Sequence, residues 1–394
     1  MIPNSKHTVV VAMSGGVDSS VAAYLLKKRG YNVVGVYMKC YNLDGCSEQD
    51  AEDARRVAGQ IGIPFYVWDF EREYKKKVVK YMIDGYRRGE TPNPDVECNR
   101  EIKFGLFLEK ALAAGADYVA TGHYVRLRSS ANNELLTNKR IKKFVNSKQI
   151  RYSLIIARDK NKDQSYFLWT LTQKQLRHCL FPIGDYTKPQ VRAMARRAGL
   201  STADKKDSQG ICFLGKVDVS EFLAEHLPVR TGQVVTTEGQ PIGQHKGSWF
   251  YTIGQRHGLD LRIKNKELRI RGQTETKAHY VAAKNIRNNT ITVAEGQDNP
   301  ALFRREIVLR DVNFIHPYPY SIVLKNNRIR ILARVRYRQP LARAELAPSN
   351  LPLTRGGTEG FRIVFDQPQK FVAPGQSAVF YSRKGELLGG GVIS

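Results

Sequence analysis

Two groups of residues in this chain have the types and spacing to do chemistry. The first is Ser14-Gly15-Gly16-Val17-Asp18-Ser19-Ser20, set between a β-branched run ending in Ala12-Met13 and a helix-forming stretch. Gly15 and Gly16 allow close backbone approach to an anion. The helix that follows offers free N–H groups and the positive end of its dipole. A phosphoryl-transfer loop of this shape carries a lysine just before its Ser/Thr; here Asp18 stands in that place. A carboxylate suits magnesium or helix N–H groups better than phosphate. The expectation is a loop that holds pyrophosphate as a leaving group and does not transfer a γ-phosphoryl. The second group is a pair of cysteines, Cys98 in TPNPDVECNREIKFG and Cys212 in KKDSQGICFLG. Both flanks are rich in turn residues, which predicts exposure. Arg100 and Lys103 beside one, and Lys205 and Lys206 beside the other, favour the nucleophilic thiolate. For either cysteine alone, a buried structural thiol is an equal reading.

The elements that must position these residues follow from periodicity. Thr8–Ala12, Tyr31–Met38, Ile63–Phe70 and Tyr118–Thr121 read as strands, with helices over Ser19–Arg29 and Glu48–Gln60 between them. This alternation predicts a parallel α/β sheet with right-handed crossovers. A further helix is expected over 187–199. Residues 126–151 carry eight basic residues and one acid, Glu134, and read as an exposed excursion. Beyond about residue 210, short strands punctuated by glycine turns predict all-β modules. The domains expected are 1–209, the α/β catalytic domain; 210–283, a small central domain; and 284–394, a C-terminal β-barrel. In the barrel, Arg328, Arg330, Arg334, Arg336 and Arg338 all occupy even positions, predicting a basic stripe on one strand face.

Composition narrows the partners. Lys and Arg number 63 against 37 Asp and Glu, a formal charge of +26. Such an excess points to a polyanion, nucleic acid first. No apolar run approaches the roughly 20 residues of a membrane span. The first residues lack the basic-then-apolar pattern of a secretory signal. The five cysteines are widely spaced and form no CxxC pair, so neither a disulfide framework nor a zinc site is expected, and a reducing, cytoplasmic setting fits.

The run SGGVDSS between strand and helix resembles the pyrophosphatase loop of the ATP-pyrophosphatase superfamily. With TPNPDVECNREIKFG, ATGHY, NKDQSYFL, FPIGDYTKPQVRAMA, KKDSQGICFLG, YTIGQRHGL, RVRYRQ and PGQSAVFY in order, nearly the whole chain resembles the tRNA-specific 2-thiouridylase family. The resemblance implies an adenine nucleotide hydrolase-like (PP-loop) domain, a central domain and a tRNA-binding β-barrel. It implies ATP, with Mg2+, held by Ala12, Met13, Ser14, Gly15, Gly16, Val17, Asp18 and Ser19 together with Met38 and Gly122. Asn93, Pro94 and Asp95 would meet the target base. Lys162, Asp163, Gln164, Arg336 and Tyr337 would contact tRNA, and His123 and Gln376 would help orient it. Cys98 would be the nucleophile and Cys212 the persulfide carrier, supplied by a sulfur-relay or cysteine desulfurase protein. Asp95 would act as acid or base; an Asx turn within NPD is an equal reading. No resident metal other than Mg2+ with the nucleotide is implied. Two other readings stand beside this one. An adenylating ligase or amidotransferase acting on a small metabolite would need neither the paired cysteines nor a basic barrel. A non-catalytic RNA binder would need neither the loop nor the cysteines.

Overall fold

A computed structural model describes residues 7–43, 45, 47–130, 150–207, 214, 217–261, 277–316, 328–349 and 360–394. Cys212, Cys46 and most of the basic excursion (131–149) lie outside the described residues.

The N-terminal domain is built on a parallel sheet of β1 (Thr8–Ala12), β2 (Asn32–Lys39), β3 (Phe65–Asp69), β4 (Tyr118–Ala120) and β7 (Cys179–Leu180). Its order is β3-β2-β1-β4-β7. Val9, Val10 and Val11 are buried on both faces of β1, as a central parallel strand requires. The chain leaves β1 for β2 on one side and β4 on the other. That reversal opens a crevice at the carboxyl ends of β1 and β4, the usual ligand position in such sheets. The helix Val17–Lys28 starts directly at this crevice, and the helix Lys188–Arg197 packs against it. The base of the basic excursion is an antiparallel hairpin of β5 (Val125–Ser129) and β6 (Tyr152–Ile156).

The central domain is a second sheet, ordered β10-β9-β8-β12-β11. Its strands are β8 (Gly232–Thr236), β9 (Pro241–His245), β10 (Asp260–Leu261), β11 (His279–Asn285) and β12 (Thr290–Glu295). The boundary expected at 283/284 therefore falls inside β11 and has to move beyond Glu295. The texture of short strands and glycine turns does not change there; only the pairing of β12 with β8 reveals the join.

The third unit is a closed barrel, ordered β13-β16-β15-β14-β17-β18. It comprises β13 (Phe303–Phe314), β14 (Ile329–Arg334), β15 (Ala342–Pro348), β16 (Phe361–Lys370), β17 (Ser377–Tyr381) and β18 (Leu387–Ile393). Ile331, Ala333, Leu346, Ile363, Phe365 and Phe380 fill its interior.

The barrel and the N-terminal domain share buried polar contacts. Tyr166 donates its hydroxyl to the Ser377 carbonyl at 2.9 Å, Trp169 Nε1 donates to Ser377 Oγ at 3.0 Å, and Asn313 donates to the carbonyls of Trp169 and Leu171. At their centre Arg334, with 5 % of its surface exposed, forms an ion pair with Asp163 and donates to the Tyr381 hydroxyl at 2.8 Å. This corrects the expected arginine stripe. Arg328 and Arg330 are exposed and face Glu345, but the outer face at Arg334 is covered by the 163–166 segment. β14 also ends at Arg334, so Arg336 and Tyr337 lie past the strand and are free of its alternation. Arg336 donates to the Ile253 carbonyl of the central domain and lies over the Phe371 ring, and Tyr337 packs on Phe167 with ring centroids 4.5 Å apart.

Candidate active site

The loop after β1 has the geometry of an anion cradle. Gly15 adopts φ +72°, and a Cβ there would sit 2.3 Å from the Asp50 carbonyl oxygen, so only glycine fits. Ser19 Oγ accepts from the Ser14 N–H at 3.1 Å and lies 3.2 Å from Ser14 Oγ, which fixes the curl of the loop. Gly16 caps the helix Val17–Lys28 without any side-chain hydrogen bond, so no side chain competes with a ligand for the first N–H groups. Ala12, Met13, Gly15, Val17 and Ser19 are buried, whereas Ser14 is exposed and Gly16 and Asp18 are half-buried at the mouth. Met38 is half-buried at the end of β2, next to this loop in the sheet order. Gly122, just past β4, closes the other wall: a Cβ on it would lie 2.6 Å from the Ser19 nitrogen and 2.8 Å from the Asp18 carbonyl carbon. Gly122→Ala is therefore expected to push the loop out of shape and weaken pyrophosphate binding about tenfold, read by equilibrium titration.

A lysine from elsewhere in the chain reaches the mouth of the loop. Lys188, at the start of the helix Lys188–Arg197, places Nζ 2.8 and 2.7 Å from the two carboxylate oxygens of Asp18. It also lies 2.8 Å from Asp207 Oδ1 and over the Tyr124 ring. Tyr124 donates its hydroxyl to Asp18 at 2.8 Å, and its own N–H is held by Gln164 Oε1 at 2.9 Å. A cation at a helix N-terminus opposes the dipole, so the two carboxylates and not the helix hold Lys188 there. Sequence reasoning missed Lys188 because it lies 170 residues from Asp18. The available signal was its place in FPIGDYTKPQVRAMA, directly before the proline of a helix start, where a lysine is electrostatically out of place.

Cys98 closes the short helix Pro94–Cys98, which is capped by Asn93: Oδ1 accepts from the Val96 N–H at 3.2 Å, with Pro94 in the first turn. Asn93 is thus the capping residue of the NPD run, and Asp95 is half-buried in the first turn. Cys98 is buried, against the exposure expected from its turn-rich flanks, because the helix turns it into the core beside Val96, Ile102 and Phe104. Burial pushes its thiol pKa up. Lys103 and a hydrogen bond with Tyr74 pull it down, while Asp95 adds to the rise. The other expected cation, Arg100, is taken up by Glu97 at 2.7 Å and Glu101 at 3.1 Å. Lys205, beside Cys212 in sequence, is likewise bound to Asp50 at 2.7 Å and Asp53 at 2.5 Å.

His123 joins the cradle to the cysteine segment. It follows Gly122, bonds Thr121 Oγ1 at 2.7 Å and packs on Phe104, with Lys103 near both His123 and Cys98. Burial, reinforced by Lys103, depresses its pKa well below the ordinary histidine value, so it stays neutral. Gln376 reaches in from the barrel: Nε2 donates to the carbonyls of Thr91 at 2.9 Å and Pro92 at 3.4 Å, immediately before Asn93. The segment 162–164 faces three ways. Lys162 pairs with Asp207 at 2.5 Å, Asp163 is buried on Arg334, and Gln164 supports Tyr124. Asp163 is thus a packing residue whose carboxylate is occupied, and of the three only Lys162 and Gln164 remain partly exposed. Among the described residues, no group of three or more His, Cys, Asp or Glu could hold a metal ion by itself, and no helix is long and apolar enough to cross a membrane.

Three family models match the chain in succession: the tRNA methyl transferase HUP domain over residues 7–216, the tRNA methyl transferase PRC-barrel domain over 220–295, and the aminomethyltransferase beta-barrel domain over 304–393. A tRNA-specific 2-thiouridylase MnmA of Bacillus licheniformis is 44% identical, over 98% of this chain and 94% of that protein. Its counterpart in Streptococcus sanguinis is 42% identical, over 100% and 96%. That of Mannheimia succiniciproducens is 42% identical, over 99% and 92%.

Proposed function

Since the chain belongs to the tRNA-specific 2-thiouridylase family, we propose that it converts the wobble uridine of tRNA to 2-thiouridine through ATP-dependent adenylation of the uracil C2 oxygen. The observation that carries this reading is the phosphate cradle at Ser14–Ser19, without a lysine of its own, joined through Gly122, His123 and Phe104 to the helix bearing Cys98. A methyl transfer, which the names of two of the matching families suggest, has no use for such a cradle.

The uracil C2 carbonyl is inert to sulfur until its oxygen becomes a leaving group. ATP supplies the adenylyl group, and Ala12–Ser19, Met38 and Gly122 form the site that suits it. The loop's N–H groups and Lys188 would stabilise pyrophosphate as it departs. Asp18, held by Lys188 and Tyr124, has the oxygen chemistry that would suit a Mg2+ accompanying the nucleotide, which would offset charge on the phosphates. Asn93, Pro94 and Asp95 would receive the base beside Cys98. Cys212 would carry the incoming sulfur as a persulfide from a relay or desulfurase protein. Attack at C2 by that sulfur expels AMP. The Cys98 thiolate attacks Cys212 Sγ and breaks the persulfide S–S bond, either after C2 attack to free the thiouridine or before it to release sulfide. A Cys98–Cys212 disulfide is left to be reduced. Asp95 would move the proton at the thiol or the ring. Lys162, Gln164, Arg336 and Tyr337 would meet the RNA, while Asp163 would fix the 162–164 turn through Arg334, Gln376 the segment leading into Asn93, and His123 the wall between the cradle and Phe104. A cytoplasmic setting suits the free thiols and the substrate.

The expected products are therefore AMP and pyrophosphate, formed only when tRNA and a persulfide donor are both present. Chromatography of the nucleotides after turnover checks this, and ADP as the main product would overturn the adenylation reading.

A further inference from the structure

Asp207 holds an unusual set of partners. Its carboxylate accepts from Lys162 Nζ at 2.5 Å, lies 2.8 Å from Lys188 Nζ, and accepts from Arg192 at 2.9 Å. Arg192 also donates to the carbonyls of Ala203 and Lys205, at 2.8 and 2.9 Å, which clamps the 203–207 segment onto the helix Lys188–Arg197. Burial alone would raise the pKa of Asp207, but the hydrogen bonds from Lys162 and Lys188 bring it down to about 2. The group is thus a fixed anion at every physiological pH. The two lysines lead to different places. Lys188 ends on Asp18 at the mouth of the phosphate cradle. Lys162 sits on the 162–164 turn with 30% of its side chain exposed. A lysine has a flexible four-carbon stem and rotatable donors, so an ammonium group held in one place needs an anchor.

We propose that Asp207 is a positioning residue that presents one ammonium group, Lys188, to the nucleotide phosphates and a second, Lys162, to the tRNA backbone, so that one carboxylate sets the geometry of both substrate sites. This rests on the functional reading above, in which the cradle binds ATP and the 162–164 turn meets RNA. Asp207 touches neither substrate and acts only through the lysines.

The sign of the effect separates this role from ordinary charge. Asp207→Asn removes an anion from a basic surface. Bulk electrostatics alone would then tighten the binding of both polyanions. A positioning role demands the reverse: Lys162 loses its carboxylate and Lys188 one of its two, which leaves Lys188 drawn wholly onto Asp18 and away from the phosphates, and both affinities fall. The experiment measures equilibrium binding of a non-hydrolysable ATP analogue and of tRNA to the full chain, in wild type, Asp207→Asn, Asp207→Glu, Lys188→Met, Lys162→Met and the two lysine double variants with Asp207→Asn. Asp207→Asn is expected to weaken each ligand roughly five- to tenfold, with Asp207→Glu recovering part of the loss. The effect on the nucleotide should vanish in the Lys188→Met background and that on tRNA in the Lys162→Met background, the non-additivity of residues acting through one contact. Tighter binding of either ligand in Asp207→Asn, or losses that persist in the lysine backgrounds, would overturn the proposal. A variant that loses both affinities together with its cooperative thermal unfolding would assign Asp207 to folding and overturn it as well. Failure of the wild type to bind tRNA or nucleotide at all would overturn the functional reading, a different result from normal wild-type binding with an indifferent Asp207→Asn.

Discussion

Cys98→Ser is expected to abolish 2-thiouridine formation, by at least about 10³-fold, while nucleotide and tRNA affinities stay within about twofold of wild type. The hydroxyl keeps the hydrogen-bonding capacity toward Tyr74 and much of the volume in the cluster with Val96, Ile102 and Phe104, so folding should survive. With a radiolabelled persulfide donor, Cys98→Ser should still acquire label at Cys212 and then stall; Cys212→Ser should acquire none and form no product. Label and thiolation retained in Cys212→Ser would reverse the two roles. Ser at Cys40 or Cys179 should leave turnover within a few-fold. Cys179 is buried and donates its thiol to the Gln175 carbonyl at 3.2 Å, a bond that serine can also make. The pH dependence of Cys98 follows from its setting. Burial raises the thiol pKa above the ordinary value of about 8.5, so its thiolate is scarce at neutral pH. Alkylation of Cys98 in the resting protein, mapped by mass spectrometry, should keep accelerating at alkaline pH after an ordinary thiol has levelled off. A plateau near neutrality would show that Lys103 outweighs burial.

Arg334→Met should produce the largest loss of stability of any single arginine change discussed. The guanidinium and the Asp163 carboxylate are both almost fully buried, and they share Ser165 and Tyr381 in one hydrogen-bond network. Removing the cation strands a buried carboxylate, at a cost of about 3–5 kcal/mol. Equilibrium unfolding in urea should show a correspondingly lower midpoint. Adding Asp163→Asn to Arg334→Met should recover part of the loss, since the neutral amide leaves no buried charge while its oxygen still accepts from the Ala157 and Ser165 N–H groups. Arg328→Met, at an exposed site facing Glu345, should change stability by no more than about 1 kcal/mol. Equal effects at Arg328 and Arg334 would place Arg334 at the surface after all.

The contrast between these arginines marks what could be read from the chain alone. β1, the loop and the helix at Val17 were legible because one short motif carries them, with a buried strand, a glycine at the positive-φ position Gly15, and a helix start in direct succession. The expected strand over Tyr31–Met38 and helix over Glu48–Gln60 lie within a residue of the observed Asn32–Lys39 and Ser47–Ile61, for the same reason. Even-numbered arginines report only that a strand has an outer face; they cannot report that another domain covers it, which is how Arg334 was misread. Turn residues around Cys98 mark a helix start, at Asn93-Pro94, and not a surface loop. The domain join after Glu295 was hidden because two adjoining all-β units share one texture. Lys188 and Asp207 were beyond reach because their partners Asp18 and Lys162 lie far off in sequence, with a lysine set directly before Pro189 as the one local sign; Gln376 was legible only through the family resemblance, since the loop it ties lies 285 residues away.

The hydrogen bonds to Thr91 and Pro92 also have a consequence in time. The Thr91 N–H donates to the Pro374 carbonyl at 2.7 Å, and Gln376, 285 residues after Thr91, supplies the donors to the carbonyls that lead into Asn93. Synthesis runs from the N-terminus, and domains generally fold as they emerge. The phosphate cradle can therefore form on a nascent chain long before the segment leading to Cys98 is fastened, since that last step waits for β17 and its preceding turn to leave the ribosome. A chain stalled or clipped before residue 374 would hold a formed cradle beside a 91–95 loop that lacks its final ties. The order of translation thus withholds the final geometry around Cys98 until the barrel exists to fasten it.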